Sequence, residues 1–319
     1  MPSMPQLHRR GFLAAGAAAA GLSMAGEAAA AAFFARTGLP IGVQLYTFGP
    51  EGMKDLHATL AAVRAIGYRT VEIPGFMGRS AAELKAALDR AGLACPSAHI
   101  QARGGFDGDL TKLADDLATL GVTQAVMPSP YVPDHARKAA EGASGADVYR
   151  RMMGALTGDD WKMNADFLNE KGAALKASGI TVGYHNHNFE FAPQEGAGQG
   201  GPTGLDILLA RTDPALVTFQ ADVGWMAAAG VDPAAYLQKH KGRFTLMHVK
   251  DVKASTRPNF DLRMEPTEVG SGRLDWKRLL PAAHAAGVRG FFVEQEPPFE
   301  RPRLEAARIS HDFLAGLQA

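Results

Sequence analysis

From residue 41 to the C-terminus, short apolar or β-branched runs alternate with longer stretches of helical period. Runs this brief predict strands at 41–47, 70–73, 94–99, 124–127, 181–185, 218–222, 245–249 and 290–294. Between them, apolar residues recurring every three or four positions predict helices at 53–65, 81–91, 110–120, 161–177, 204–211, 233–240, 276–286 and 303–317. Several joints place a glycine between helix and strand: Gly67, Gly92, Gly121, Gly179 and Gly287. Glycine enters the left-handed conformation that ends a helix without steric cost, so each joint reads as a helix stop feeding a strand.

Eight βα units in series specify an α/β fold in which a parallel sheet closes on itself, a (β/α)8 TIM barrel. The competing open, doubly wound sheet calls for a Gly-x-Gly-x-x-Gly turn after the first strand and an acidic ribose reader beyond it, and neither is present. In a closed barrel the chemistry belongs at the C-terminal ends of the strands. Two connections, 128–160 and 192–203, exceed the usual loop length and are rich in Gly, Pro and polar residues, so they are expected to fold over the barrel mouth as lids.

The residues that close the later strands carry candidate chemistry. Residues 182–191 read Val-Gly-Tyr-His-Asn-His-Asn-Phe-Glu-Phe and set His185, His187 and Glu190 at the end of the fifth strand. Asp222 ends the sixth, His248 the seventh with Lys250 and Asp251 just beyond, and Glu294 the eighth with Glu296 following. Imidazoles and carboxylates from four neighbouring strand ends are the groups from which a metal or proton-transfer site is built. Gln44, Tyr46, Glu72 and His99 point toward the same rim from the early strands, as pocket lining. Plainer readings stand beside these: Asp222 as a turn cap, the histidines as hydrogen-bonded core residues, Lys250 and Asp251 as a surface ion pair.

Charge is balanced, 33 basic against 33 acidic residues, so no net field draws the chain to nucleic acid or an anionic membrane, and a small-molecule substrate is expected. The single cysteine, Cys95, excludes an intrachain disulfide. At the N-terminus, His8-Arg9-Arg10-Gly11-Phe12-Leu13 precedes an Ala/Gly-rich run to about Ala32 and looks like a twin-arginine export signal. That run contains Glu27 and lacks the Leu, Ile and Phe content of a membrane span, so no stable membrane insertion is expected. The expected organisation is a removable signal at 1–35 and a single barrel domain at 36–319, exported to the periplasm.

Taken in order, Tyr184-His185-Asn186-His187 with Glu190, Asp222-Val223-Gly224-Trp225, His248-Val249-Lys250-Asp251 and Val293-Glu294-Gln295 resemble the sugar phosphate isomerase/epimerase family of xylose isomerase-like TIM barrels. The resemblance runs from about Leu39 to the C-terminus, and the family also includes inosose dehydratases, ketose 3-epimerases and apurinic endonucleases. It implies a divalent metal (Mn, Mg, Co or Zn) held by Asp222, His248 and Glu294, with Glu190 as the fifth-strand carboxylate. His185 occupies the place of the glutamate that many ketose epimerases carry there, so His185 or His187 stands as an alternative ligand. Glu190 and Glu294 are the implied acid/base pair, while His99, His185, His187, Lys250 and Glu296 are implied to contact substrate.

The activity so implied is isomerisation or epimerisation of a small sugar or keto-sugar by enediolate-type proton transfer. The alternative is a lyase or dehydratase acting on keto-sugars or keto-glycosides, in which the same enediolate expels a β-substituent. Apurinic endonuclease chemistry needs a basic DNA face and more His and Asp ligands. Cys95 has no activating neighbour in sequence, and no Gly-x-Ser-x-Gly elbow or phosphate-cradling Gly-Lys-Ser/Thr occurs.

Overall fold

A computed structural model describes Met1, residues 31–194 and residues 201–319, so Arg9, Arg10 and most of the expected export signal lie outside the described residues. The barrel strands are β1 (Ile41–Gln44), β2 (Thr70–Ile73), β3 (Ala94–His99), β4 (Gln124–Met127), β5 (Thr181–His185), β6 (Val217–Asp222), β7 (Phe244–Val249) and β8 (Gly290–Val293). Each pairs in parallel with its neighbours in sequence, and β8 closes on β1.

Alternation along the strands divides the barrel into two environments. Val126, Leu246 and Phe292 meet inside it as a small apolar cluster separate from the main core. One strand pair further toward the mouth, the inward positions turn polar: Gln44, Glu72, Ser97, Gln220 and His248 are buried and bonded to one another across the barrel. The intervening positions, among them Val43, Val71, Ala125, Val182, Val249 and Val293, join the main core beneath the helices. Apolar burial therefore holds the barrel from outside and below, leaving its upper interior for chemistry.

The expected elements recur with local shifts that have identifiable causes. β1 stops at Gln44, three residues early, because the Gln44 side chain accepts the Tyr46 amide and turns the chain into a 3-10 helix, Leu45–Phe48. The first helix splits into Gly49–Lys54 and Leu56–Ile66, the second started by the Asp55 carboxylate accepting from Ala58 N. Helices Ala81–Ala91 and Leu110–Leu120 end where expected, at Gly92 (φ 67°) and Gly121 (φ 79°). The connection at 128–160 is not bare loop: it holds Asp134–Ala139, Ala146–Gly154 and the start of Gly158–Lys176, which a Thr157/Asp160 capping box initiates.

The compact barrel unit begins at Ala32, ahead of the expected boundary at 36. Helix Phe33–Thr37 buries Phe33 and Phe34, whose rings lie 6.0 and 5.5 Å from that of Phe291, and Phe33 N donates to Leu317 O at 2.8 Å. Among the described residues, no helix is long and apolar enough to cross a membrane.

Candidate active site

The ends of β6, β7 and β8 bring Asp222, His248 and Glu294 together, one donor atom from each lying within 4.8 Å of the others. Register explains the meeting, since Asp222 pairs with His248 across β6 and β7 and Glu294 N donates to Val249 O. Asp222 does two jobs: Oδ1 accepts from Trp225 N at 2.9 Å and caps helix Val223–Ala228, while Oδ2 faces the cluster. Oδ2 is buried and receives no hydrogen bond; Lys250 Nζ is 2.8 Å away, an ion pair without donor alignment. Two carboxylates and an imidazole, with one buried oxygen that no hydrogen bond satisfies, are a donor set that would fit a divalent ion.

Beneath this cluster Glu72 organises the imidazoles. Its Oε2 lies 2.5 Å from His248 Nε2, 3.1 Å from His99 Nε2 and 2.8 Å from the donating Gln44 Nε2. Its Oε1 accepts from Ser97 Oγ at 2.5 Å and Gln220 Nε2 at 2.8 Å. Burial would by itself raise the Glu72 carboxyl, but His99 and His248 outweigh it and hold it well below the usual range. An ionised Glu72 can only accept, so it fixes the Gln220 amide with NH2 toward itself and Oε1 toward His99 Nε2 and His185 Nδ1, both at 2.9 Å. Those two nitrogens must then carry the protons. His185, held neutral by burial first and by His248 second, therefore presents a bare Nε2, 3.9 Å from Asp222 Oδ2.

Opposite charges crowd the same rim. Burial disfavours the Lys250 ammonium, yet Asp222, Glu294 and Glu296 hold its pKa well above the ordinary value. The same balance keeps Asp222 ionised, down to about 2 against burial through Lys250 and His248, and holds Glu294 well below the carboxylate range. Glu294 is thus suited to holding a cation and poorly suited to releasing protons near neutrality.

Glu190 behaves oppositely. It sits on the turn Phe189–Phe191, fully buried, and accepts from Tyr184 OH and His187 N, both at 2.8 Å. Burial outweighs those bonds and pushes its carboxyl up to about 8. Its oxygens stand outside the Asp222/His248/Glu294 group, with His187 Nδ1 3.9 Å from Oε1. His187, carried down to about 3 chiefly by burial, is a neutral ring stacked on Phe189 and flanked by Trp225 and Tyr149. Tyr149 belongs to helix Ala146–Gly154, so the 128–160 connection does reach the mouth.

Of the expected substrate contacts, His99 and His185 belong to the Glu72/Gln220 network, and His99 also borders a cavity of ≈ 410 Å³. His187, Lys250 and Glu296 line the rim, Trp225 Nε1 donating to Glu296 Oε1 at 3.1 Å. Asp251 is neither a substrate contact nor a surface ion pair. It is buried and accepts from Val252 N, Gly270 N, Gly272 N, Leu274 N and Trp276 Nε1, tying down the loop at 268–274, which contains Gly270 and Gly272. Cys95 is buried with its thiol pushed up to about 12, which removes it as a nucleophile. Sequence reasoning missed Gln220 and Ser97, although period two places each on the inward face two residues before Asp222 and His99.

An inosose dehydratase of Geobacillus thermodenitrificans is 30% identical over 160 residues, covering 46% of this chain and 51% of that protein. One of Lactiplantibacillus plantarum is 31% identical over 172 residues, 50% of this chain and 55% of that protein. The chain thus spans about half the length of the curated relatives it matches. A crystal structure of a sugar phosphate isomerase/epimerase from Parabacteroides distasonis superposes with a TM-score of 0.70 at 26% identity, over 87% of this chain and 94% of the other. The family model described as xylose isomerase-like TIM barrel matches residues 60–317, and the chain belongs to that family.

Proposed function

We propose that this protein removes the proton next to the carbonyl of a keto-sugar or keto-polyol and expels the oxygen substituent one carbon further on, as a dehydratase or lyase. The observation that carries this reading is the pairing of two differently held groups at the mouth: buried Glu190 is gripped by Tyr184 OH and His187 N, with burial pushing its carboxyl up to about 8, while His185 spends Nδ1 on Gln220 Oε1 and leaves Nε2 facing the cluster. An elimination needs both, a base for the carbon acid and an acid for the departing oxygen. The likeness to inosose dehydratases supports the same reading.

Asp222, His248 and Glu294 would hold a divalent ion, which when bound would supply Lewis acidity. His185 Nε2 takes the carbon-bound proton, the C–H electron pair forms a C=C bond and the carbonyl π pair moves onto oxygen, giving an enediolate. As the carbonyl re-forms, the enediolate C=C pair shifts to a new C=C bond to the β carbon, the β C–O bond breaks, and Glu190 protonates the departing oxygen. Gln220 and Glu72 keep the His185 proton on Nδ1 throughout. Phe189, Trp225 and Tyr149 wall the mouth around His187 and limit water.

Isomerisation or epimerisation is the second reading, favoured by the Parabacteroides distasonis isomerase/epimerase; there the enediolate is reprotonated on carbon. A panel of keto-sugars, keto-glycosides and inososes followed by NMR in deuterated water separates the two. Glu190→Gln is expected to retain exchange at the α-carbon while lowering elimination by roughly two to four orders of magnitude, and His185→Gln to lose both. An epimer or isomer in place of an unsaturated product, or full elimination by Glu190→Gln, contradicts the first reading.

A further inference from the structure

Lys250 is fully buried, and its Nζ lies 2.8 Å from Asp222 Oδ2, 2.7 Å from Glu294 Oε2 and 2.6 Å from Glu296 Oε1. The first two oxygens are the ones that face His248 Nδ1, at 3.7 and 3.0 Å. The ammonium therefore sits on the oxygens that a divalent ion in this cluster would use. Two cations cannot share them cheaply at such separations, because the water that would screen their repulsion is excluded.

The lysine's position is built into the fold. A Cβ on Gly224 would stand 2.7 Å from Cγ and 2.9 Å from Cδ of Lys250, so glycine in Asp222-Val223-Gly224-Trp225 leaves room for the lysine stem. Its third partner is of a different kind. Of the three carboxylate contacts, the one to Glu296 has hydrogen-bond alignment, and the Trp225 ring centroid lies 5.4 Å from Nζ. Glu296 is the more open carboxylate, its side chain 26% exposed against 0% for Asp222 and 7% for Glu294. The ammonium thus has a berth on Glu296 and Trp225 that needs neither Asp222 nor Glu294.

We propose that Lys250 is a resident counter-cation that competes with the divalent metal for Asp222 and Glu294 and withdraws to Glu296 and Trp225 when the metal binds. The inference rests on the metal reading of the cluster given above. Two effects follow from one charge. Without metal, Lys250 neutralises a buried carboxylate cluster and stabilises the mouth; with metal, its repulsion and the contacts it must surrender weaken binding and make loading reversible.

The test is direct titration of the metal-stripped full chain with Mn²⁺, read by electron paramagnetic resonance of free ion, beside thermal melts with and without Mn²⁺. Lys250→Met is expected to bind Mn²⁺ about tenfold more tightly or better, to melt lower than wild type when stripped, and to gain more from Mn²⁺. Lys250→Gln keeps much of the volume and a hydrogen-bonding end and is expected to move in the same directions if the methionine variant folds poorly. Equal or weaker Mn²⁺ binding by a folded variant overturns the inference while leaving the metal site intact. Failure of wild type and both variants to bind Mn²⁺ overturns the metal reading itself.

Discussion

Glu72 and His248 face each other at 2.5 Å across the barrel interior, and the nitrogen so engaged is the one opposite the Asp222/Glu294 cluster. A carboxylate on Nε2 keeps that nitrogen protonated and turns Nδ1 toward the cluster, as expected of the partner behind a metal-binding imidazole. Glu72→Gln should therefore weaken Mn²⁺ binding or turnover by about 10- to 100-fold, and His248→Ala should remove binding, both read by titration of the stripped protein. Unchanged affinity in Glu72→Gln would make this contact structural only.

Glu190 links stability to pH with a definite sign. Its carboxyl rises from 4.5 to about 8 on folding, so the folded state keeps a proton that the unfolded chain releases. The contribution is fully present below pH 4.5 and is lost as pH rises through 8. In denaturant unfolding of the metal-stripped protein, wild type should lose stability relative to Glu190→Gln across that window, by at most roughly 1.4 kcal/mol per pH unit. A wild-type stability relative to Glu190→Gln that stays flat, or rises with pH, would contradict the buried acid.

Asp251 separates fold from chemistry inside the His248-Val249-Lys250-Asp251 motif. With four backbone amides and the Trp276 indole donating to it, Asp251→Ala should cost roughly 2–4 kcal/mol in chemical denaturation. Mn²⁺ affinity of the folded fraction should stay within about twofold of wild type, since Asp251 bonds to Val252, Gly270, Gly272, Leu274 and Trp276 and not to Asp222, His248 or Glu294. Large loss of affinity with little loss of stability would return Asp251 to the site.

We propose that the segment around Arg9 and Arg10 directs export and is removed ahead of Phe33. Cleavage at 35 would strip out Phe33 and Phe34, and losing a buried phenylalanine typically costs about 3–5 kcal/mol. Replacing both arginines by lysine should hold the protein in the cytoplasm, and mass spectrometry of exported protein should find Phe33 retained. Normal export of the double variant, or a mature N-terminus beyond Phe34, would refute the respective part.

The barrel was legible because its signals are local: short apolar or β-branched runs, helical periods and glycine stops such as Gly92 and Gly121 each act within a few residues. The convergence of Asp222, His248 and Glu294 at neighbouring strand ends was legible for the same reason. What stayed hidden depends on contacts between distant positions. Gln220 gains its role from Glu72, 148 residues earlier, and Lys250 from carboxylates on two other strand ends. The helices at Asp134–Ala139 and Ala146–Gly154 were masked by the prolines ahead of them, Pro128, Pro130 and Pro133, and by Gly142 and Gly145 between them. Glu190 looked free to reach a metal because sequence does not reveal that Tyr184 and the His187 amide hold it.

If the cluster at the ends of β6, β7 and β8 makes a carbon next to a carbonyl acidic, proton NMR in deuterated water reads the exchange of that carbon's hydrogen. Mn²⁺-loaded protein is expected to place solvent deuterium at that carbon in at least one keto-sugar, keto-glycoside or inosose, to lose the exchange on chelation and to regain it when metal is restored. Turnover with no deuterium uptake, or exchange that survives chelation and the loss of His248, would contradict the account.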